Sequence, residues 1–208
     1  MAAVTVSRQS GSGGSEIATL VGRRLGWPVI DNQFVGLVSR KSGVPREEVQ
    51  RLEERVPGLL ERLGQSLALA APDGFVTGEI PVTGPLPEDE IRRVTETVIN
   101  EAVKHNVVLV GRGAQAHLAA RDNVLHVFIA APREVRVERV MKRLGLERKD
   151  AERTVDDQDR GRREYVKTHY RRTWDDAANY DLMLNSDRFR PDEIADIIVH
   201  TVRRKGWA

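Results

Sequence analysis

The stretch that most restricts the fold lies near the amino terminus, where a short apolar run is followed by a loop rich in glycine and serine. Residues 3–7 predict a buried strand, and residues 10–15 then hold three glycines and three serines. An amphipathic pattern at helical spacing follows over residues 15–25. Glycines let several backbone N–H groups converge on an anion, and the start of a helix adds a partial positive charge. The stretch therefore predicts a strand, a phosphate-binding loop and a helix in succession.

The loop departs from the common phosphate-loop pattern, which is a glycine, four residues and then Gly-Lys-Ser or Gly-Lys-Thr. Arg8 stands at the first glycine position and Gly13 at the second, while Gly14 stands at the lysine position and Ser15 at the hydroxyl position. The loop thus keeps glycines and the hydroxyl but lacks the charge of the lysine. The remainder of the chain has to decide whether this loop binds phosphate.

Composition excludes several classes of protein. The 208 residues include no cysteine, so the chain has neither a disulfide framework nor a thiolate metal site, and its five histidines form no zinc pattern. No apolar run reaches the roughly 18 residues of a membrane helix, and no signal peptide precedes the first strand. We therefore expect a cytoplasmic protein with no membrane partner.

Charge is balanced overall, with a net charge of +2, but it is unevenly distributed. Residues 133–172 hold 14 Lys and Arg against 9 Asp and Glu, a surplus of five. Such a surplus suits a phosphate-rich small ligand or a nucleic acid, although a solvated helical face is the more common explanation of a charged run. No nucleic-acid recognition module accompanies the charge, so nucleic acid is the least favoured partner.

Periodicity predicts alternating strands and helices along the chain. Further strands are expected at 28–30, 106–111, 124–130 and 180–185, and further helices at 32–41, 45–55, 59–69, 89–104, 133–144 and from residue 191 onward. Residues 71–87, with four prolines and three glycines, predict a loop that could cover the active cleft, and residues 147–172 predict two charged helices joined by a mobile turn. This order predicts an α/β fold, a parallel sheet with helices on both faces.

Four segments of the chain carry a resemblance to a known family. They are Ser7-Arg8-Gln9-Ser10-Gly11-Ser12-Gly13-Gly14, Gly26-Trp27-Pro28-Val29-Ile30-Asp31, Val108-Leu109-Val110-Gly111-Arg112, and the run from Val127 through Arg136 and Arg139 to Asp156-Asp157-Gln158-Asp159-Arg160-Gly161-Arg162. Together they resemble the cytidylate kinases and, more closely, their cytidylate kinase-like relatives of unassigned substrate. The resemblance implies a three-layer P-loop kinase fold, with a parallel sheet of about five strands, helices on both faces and a charged helical lid.

The resemblance also implies domain organisation and function. It implies one P-loop kinase-like domain over residues 1–208, with a monophosphate-binding or insert region at about 32–105 and a lid at about 145–175. The implied activity is transfer of a phosphoryl group from ATP, with Mg²⁺, to a nucleoside monophosphate or a similar small acceptor, and CMP or dCMP is the first expectation. Small-molecule nucleotides are the implied partners. The oligomeric state stays open, and a homodimer is one alternative.

Candidate site residues follow from the same resemblance. The residues expected to bind the ATP phosphates are Gly11, Ser12, Gly13, Gly14 and Ser15, and the Ser15 hydroxyl is expected to face Mg²⁺. Those expected at the acceptor monophosphate are Asp31, Arg93 (or the adjacent Arg92) and Arg112. For Ser15 and for Asp31, the cap of a helix is the alternative role.

Phosphoryl transfer requires positive charge on the transferred group, and the lysine that would supply part of it is missing. We expect Arg8 or a lid arginine to replace that lysine, since arginine can bind phosphate through two hydrogen bonds. The candidate catalytic residues are Arg8, Arg139, Asp159, Arg160 and Arg162. Three aromatic residues near the lid could stack a base, but we favour a role in anchoring the lid; they are Tyr165, Tyr170 and Trp174.

Several departures from the family pattern keep a different function open. Val110 and Gly113 stand where the family has Asp before and after Gly-Arg, and the residues that follow Asp31 are also changed. Cytosine specificity therefore does not follow from the resemblance. Together with Gly14, the loss of the carboxylate at Val110 also permits a nucleotide-binding regulatory protein that has lost catalysis.

Overall fold

The computed structural model describes residues 1–31, 88–111 and 113–208, without the side chains of residues 88–91 and 94. The helices predicted at 32–41, 45–55 and 59–69, the 71–87 loop and Arg112 lie outside the described residues.

Strands and helices alternate in the predicted order. The strands are β1 (Ala3–Arg8), β2 (Val29–Asp31), β3 (Val107–Val110), β4 (Val124–Ala130) and β5 (Leu182–Asn185). The α-helices of the described residues are α1 (Gly14–Leu25), α2 (Glu88–Ala102), α3 (Ala114–His117), α4 (Arg133–Leu144), α5 (Arg148–Tyr170) and α6 (Pro191–Arg204). The four-residue helix α3 was not predicted, because it is too short to show a helical period. None of the helices in the described part is long and apolar enough to cross a membrane.

The five strands form one parallel sheet in the order β2-β3-β1-β4-β5. This confirms the predicted parallel sheet, and it places β1 in the centre, between β3 and β4. After β1 the chain first forms β2 and β3 on one side of it, and then β4 and β5 on the other side. In an open α/β sheet, the loops at the carboxyl ends of such strands are where ligands bind. The loop after β1 therefore has the expected position for a site.

Apolar side chains cover both faces of the sheet. One face packs against α1 and α6 through a cluster that includes Val6, Ile17 and Ile198. The other face packs against α2 and α3 through a cluster that includes Ile99 and Leu109. Burial on both faces explains why the strand sequences are nearly continuous apolar runs. The layers are helix, sheet and helix, as expected.

The charged segment after α4 forms one helix, α5, so the prediction of two helices with a mobile turn was wrong. Gly161 lies inside α5, where a Cβ atom would meet nothing within 4 Å. A glycine inside a helix costs only about 1 kcal/mol relative to alanine. Val155 and Val166, on either side of it, are buried against α4 and Phe128. Their burial offsets the cost and keeps the helix continuous.

Candidate active site

The loop between β1 and α1 borders a pocket of about 590 Å³. Gly11 and Gly13 both have a φ of 78°, a left-handed conformation that glycine adopts without steric cost. Helix α1 begins at Gly14, and the first N–H groups of a helix have no acceptor within it. The pocket has the size of a small-molecule site, and its backbone donors can bind an anion.

Arg8, the last residue of β1, forms an ion pair with Asp31, the last residue of β2. Arg8 Nη2 donates to Asp31 Oδ1 at 3.3 Å and to Asp31 Oδ2 at 3.2 Å. The Arg8 side chain is 6% exposed, whereas the Asp31 side chain is 36% exposed. Burial lowers the pKa of Arg8, and the charge of Asp31 opposes that shift. A buried guanidinium thus lies in the wall of this pocket, and its carboxylate partner lines a neighbouring pocket of about 550 Å³ together with Ser15.

Two glycines make room for the Arg8 side chain. A Cβ atom at Gly14 would lie 2.4 Å from Arg8 Cβ, and a Cβ atom at Gly111 would lie 2.0 Å from Arg8 Nη1. Gly14 stands at the position of the missing lysine, and Gly111 follows β3. The stem of Arg8 therefore occupies the space in which a side chain of residue 14 would begin.

On the other side of the loop, Asp159 joins α5 to the loop backbone. Asp159 Oδ1 accepts from the Ser10 N–H at 2.7 Å and from Arg162 Nη1 at 3.0 Å, and Asp159 Oδ2 accepts from Arg136 Nη1 at 2.7 Å. The neighbouring Gln158 Oε1 accepts from the Ser10 hydroxyl at 2.8 Å. We call Ser10, Arg136, Gln158 and Asp159 the clamp. Because it fixes the loop to α5, Asp159 positions the site and does not line it.

The buried charge of Arg136 is satisfied by several acceptors. In addition to Asp159, Arg136 Nη1 donates to the Ser10 carbonyl at 3.1 Å, and its Nε donates to the Ala131 carbonyl at 2.9 Å. A Cβ atom at Gly11 would lie only 2.5 Å from the Arg136 carbonyl oxygen, so α4 and the loop are in close contact. Buried charges are tolerated when they are paired and hydrogen-bonded in this way.

Arg162 lies between the clamp and Arg8 and lines the pocket. Burial and the like charge of Arg8 lower the pKa of Arg162 to about 10, while Asp159 opposes this shift. In and around this part of the pocket, the guanidinium groups of Arg8, Arg136 and Arg162 pair with the carboxylates of Asp31 and Asp159, and of these five groups those of Arg8 and Arg162 line the pocket. The surplus positive charge favours an anionic ligand such as a phosphate.

The structure brings most of the predicted phosphate and lid residues to this pocket; those that line it are Arg8, Gly11, Gly13, Gly14, Ser15, Arg139 and Arg162. Ser12 is a buried residue of the loop, and its hydroxyl donates to the Gln9 carbonyl at 2.8 Å. The Arg139 guanidinium is held at the rim, because its Nη1 and Nη2 donate to the hydroxyl and the carbonyl of Ser186 at 2.9 and 2.8 Å.

Other predicted site residues lie elsewhere. The Arg160 side chain is 64% exposed and pairs with Asp157 on the open face of α5. Arg93 is exposed on α2, and Arg92 pairs with Glu96 through a 2.9 Å contact between Nη1 and Oε1. Of the predicted acceptor residues within the described ranges, only Asp31 lies beside the loop.

Sequence reasoning assigned no role to Arg136, Arg143 or Gln158. Arg143 and Gln158 line the pocket, and Arg136 belongs to the clamp. Arg136 lies beside Val137 on the buried side of α4. An arginine on an apolar helix face is a usable signal, because a buried charge needs a partner. Gln158, among the polar residues of α5, gives no comparable signal.

The aromatic residues near the end of α5 have anchoring contacts. Trp174 is buried and packs edge-on against Phe128, with ring centroids 5.2 Å apart. The Tyr170 hydroxyl donates to Glu96 Oε1 at 3.1 Å, and a Cβ atom at Gly113 would lie 2.4 Å from Tyr170 Cε2. Burial raises the pKa of Tyr170. These contacts favour anchoring over base stacking.

Two oxygen groups beside the loop fit a magnesium ion. The Ser15 hydroxyl lies 3.5 Å from Asp31 Oδ2. Hydroxyl and carboxylate oxygens are ligands that Mg²⁺ prefers, and Mg²⁺ commonly uses one or two protein groups together with phosphate oxygens. The described ranges contain no cluster of three or more acidic or histidine side chains that could hold a metal. Ser15 and Asp31 therefore suit an ion bound largely by a nucleotide.

The model of the cytidylate kinase-like family matches residues 3–188. The chain belongs to this family. A cytidylate kinase from Pyrococcus horikoshii is 25% identical over 199 residues, which are 94% of this chain and 85% of the relative. A cytidylate kinase from Methanopyrus kandleri is 31% identical over 105 residues, 47% of this chain and 54% of the relative. A uronate isomerase from Corynebacterium glutamicum is 34% identical over 107 residues, which span 51% of this chain but only 21% of that protein.

Solved structures share the fold. An uncharacterized protein from Eubacterium ventriosum has a TM-score of 0.69 at 18% identity, over 98% of this chain and 99% of that chain. Shikimate kinase from Bacteroides thetaiotaomicron has a TM-score of 0.52 at 14% identity, over 97% of this chain and 98% of that chain. The predicted P-loop kinase fold is thereby confirmed. The family and the fold of the chain are thereby shown, and its substrate is left open.

Proposed function

We propose that this chain transfers the terminal phosphoryl group of ATP to a nucleoside monophosphate, with CMP or dCMP as the first candidate, or to a similar small acceptor. The pocket at the end of β1 carries the proposal, because it combines loop N–H donors with the guanidinium groups of Arg8 and Arg162. Phosphoryl transfer needs little covalent chemistry from the protein. It needs positioning, and positive charge on the oxygens of the transferred group.

Each part of the pocket has a role in this proposal. The N–H groups at the start of α1 bind the donor phosphates. Arg162 and Arg139 approach from α5 and α4 and stabilise the charge that develops during transfer. Ser15 and Asp31 would hold Mg²⁺, which would supply positive charge against the phosphate oxygens.

The acceptor is expected on the side of β2 and β3. Asp31 ends β2, it pairs in register with Val110 of β3, and Gly111 and Arg112 follow directly. Carboxyl ends of adjacent parallel strands lie at one edge of the sheet, which suits a second ligand beside the donor. The names of the Pyrococcus and Methanopyrus relatives support a cytosine nucleotide as the first acceptor to test.

A nucleotide-binding regulatory protein without catalysis is the second candidate. Gly14 removes the lysine from the loop, and Val110, where the family has Asp, is buried in the core. Both changes remove a charged group from the region in which transfer takes place. Binding of ATP could persist in such a protein, because the loop and Arg162 remain.

Coupled ADP production across a panel of nucleoside monophosphates tests both candidates. Turnover with CMP or dCMP supports the first proposal, and turnover with another monophosphate reassigns the acceptor. If no acceptor gives turnover while ATP stabilises the protein against heat, the regulatory function is favoured. Such stabilisation is about 2.7 kcal/mol at a ligand concentration one hundred times the dissociation constant. Absence of both turnover and stabilisation contradicts both candidates.

A further inference from the structure

We infer that Arg8 and Gly14 are an exchanged pair, in which Arg8 supplies from the end of β1 the positive charge that phosphate loops ending in Gly-Lys-Ser take from their lysine. The inference deepens the proposed function and rests on it in so far as the bound anion is a nucleotide phosphate. It assigns Arg8 a direct contact with phosphate, and it explains by steric exclusion why residue 14 is a glycine.

The first observation is the shared space. A Cβ atom at residue 14 would lie 2.4 Å from Arg8 Cβ and 2.9 Å from Arg8 Cγ. Both distances are shorter than side chains tolerate, and the obstacle is the rigid base of the arginine stem and not its flexible end. Arg8 therefore excludes a lysine at position 14. Conversely, Arg8 can adopt its observed position only because residue 14 has no side chain.

The second observation is the position that the guanidinium reaches. Arg8 Nη1 lies beside Gly111 at the end of β3, and Nη2 contacts Asp31 at the end of β2. The charge of Arg8 also lowers the pKa of Arg162 on α5. The guanidinium thus lies where the loop, the acceptor-side strands and α5 meet, in the wall of the pocket that the loop N–H groups also line, where it can contact a nucleotide phosphate bound to the loop.

The third observation concerns the partner of Arg8. Asp31 is more exposed than Arg8 and lies on the open side of the pair, with the Ser15 hydroxyl 3.5 Å from its Oδ2. A phosphate offers two oxygens to a guanidinium and can form stronger, paired hydrogen bonds. A phosphate can therefore take the place of Asp31 on Arg8, while Asp31 remains beside Ser15.

An exchange of the two side chains tests the charge. ADP affinity is measured by calorimetry for Arg8→Gly, Gly14→Lys and the double variant. Arg8→Gly is expected to weaken ADP binding about 10- to 100-fold, as for loss of a charge-assisted hydrogen bond. The double variant, which restores the common Gly-Lys-Ser arrangement, is expected to regain roughly tenfold of this loss. Arg24→Ala is the control, since Arg24 pairs with Asp192 and Asp196 at the far end of α1.

A thermal stability cycle tests the shared space without any ligand. Gly14→Ala adds only the Cβ atom, so it is expected to lower the melting temperature in the presence of Arg8. In the Arg8→Gly background the obstacle is absent, and alanine is the better helix residue, so the same change is expected to leave the melting temperature unchanged or to raise it.

Equal effects of Gly14→Ala in both backgrounds would overturn the steric part of the inference. Unchanged ADP affinity in Arg8→Gly would overturn the inference that Arg8 supplies the charge of the missing lysine. A double variant that binds ADP no better than Arg8→Gly would overturn it as well. These measurements need no acceptor. If no acceptor gives turnover but the ADP and stability measurements come out as expected, the proposed transfer is wrong and the exchanged pair stands. If an acceptor gives turnover but these measurements do not come out as expected, only the exchanged pair is wrong.

Discussion

The two sides of the loop between β1 and α1 carry the same kinds of charged group but differ in how completely those groups are satisfied. On the α5 side, the Asp159 carboxylate is only 4% exposed and accepts hydrogen bonds from Ser10, Arg136 and Arg162. On the β2 side, Arg8 is buried, but its partner Asp31 is partly exposed and lines a neighbouring pocket together with Ser15.

This difference separates a structural role from a binding role. A carboxylate whose acceptors are all used inside the protein fixes the geometry around it, and its removal leaves buried cations without a partner. A partly exposed carboxylate can be exchanged for a ligand at lower cost, because water and the ligand can reach it. Four predictions can break or sharpen the comparison.

The largest effect is expected for Asp159→Asn in the clamp. The change removes the charge that Arg136 and Arg162 face, and breaking a buried ion pair typically costs about 3–5 kcal/mol. Urea denaturation measures the free energy of unfolding. Asp157→Asn is the control, because Asp157 is exposed on the same helix and pairs with Arg160, so a loss within about 0.5 kcal/mol is expected. Equal losses in the two variants would show that the clamp has no special role.

Arg162→Ala is expected to affect activity more than stability. Arg162 lines the pocket, and loss of one group that stabilises the transition state typically lowers the rate about 100-fold, or about 2.7 kcal/mol. The measurement is kcat/KM with the acceptor found in the panel. Arg153→Ala, an exposed arginine near Asp150 on α5, is the matched control. If the two variants keep similar kcat/KM values, Arg162 does not act on the transferred group.

Asp31→Asn tests the exchangeable side. Without Mg²⁺, removal of the counter-ion of Arg8 is expected to raise ADP affinity by up to about fivefold, the range of partly exposed ion pairs. In an Arg8→Gly background the gain is expected to vanish. With Mg²⁺ the gain is expected to shrink, since Ser15 would lose its neighbouring carboxylate. A gain that is independent of Arg8 would mean that Asp31 repels the ligand directly.

The smallest effect concerns pH and His126, which lies in β4 beside Thr5 of β1. Burial lowers the pKa of His126 below its ordinary 6.5, and Asp181 opposes the shift. The unfolded chain therefore binds more protons than the folded chain between the two pKa values. The contribution of the neutral His126 to the free energy of unfolding is complete above about pH 6.5, and it is lost as the pH falls toward the lower folded-state pKa. We expect His126→Gln to reduce the loss of unfolding free energy between about pH 7 and pH 5.

The exposed His200 of α6 provides the control, and His200→Gln is expected to keep the pH dependence of the natural chain. A pH dependence that persists unchanged in His126→Gln would point to groups other than this buried histidine.

Much of the fold could be predicted because its signals are local. The runs of β1, β3 and β4 are apolar enough to mark buried strands, and Gly26, with a φ of 69°, ends α1 at the predicted residue. The prediction failed for α5, because a densely charged run was interpreted as two helices with a mobile turn. Burial of Val155 and Val166 decides that helix, and sequence spacing does not report these contacts.

The candidate site divides in the same way. The glycines of the loop and the Ser15 hydroxyl were found from their spacing, because backbone conformation and helix start are local properties. The clamp was not found as such, since Ser10 and Asp159 are separated by 149 residues. Arg160 was predicted beside Arg162, but the turn of the helix places it on the open face.

By itself the sequence determined the order of strands and helices, the parallel sheet and the loop after β1, because apolar periodicity and glycine placement act on neighbouring residues. Only the tertiary structure decided the strand order, the contact of Arg8 with Gly14 and Asp31, and the attachment of α5 to the loop. The physical reason is that a buried charge requires a partner, and only the assembled sheet and helices determine which partner comes within hydrogen-bonding distance.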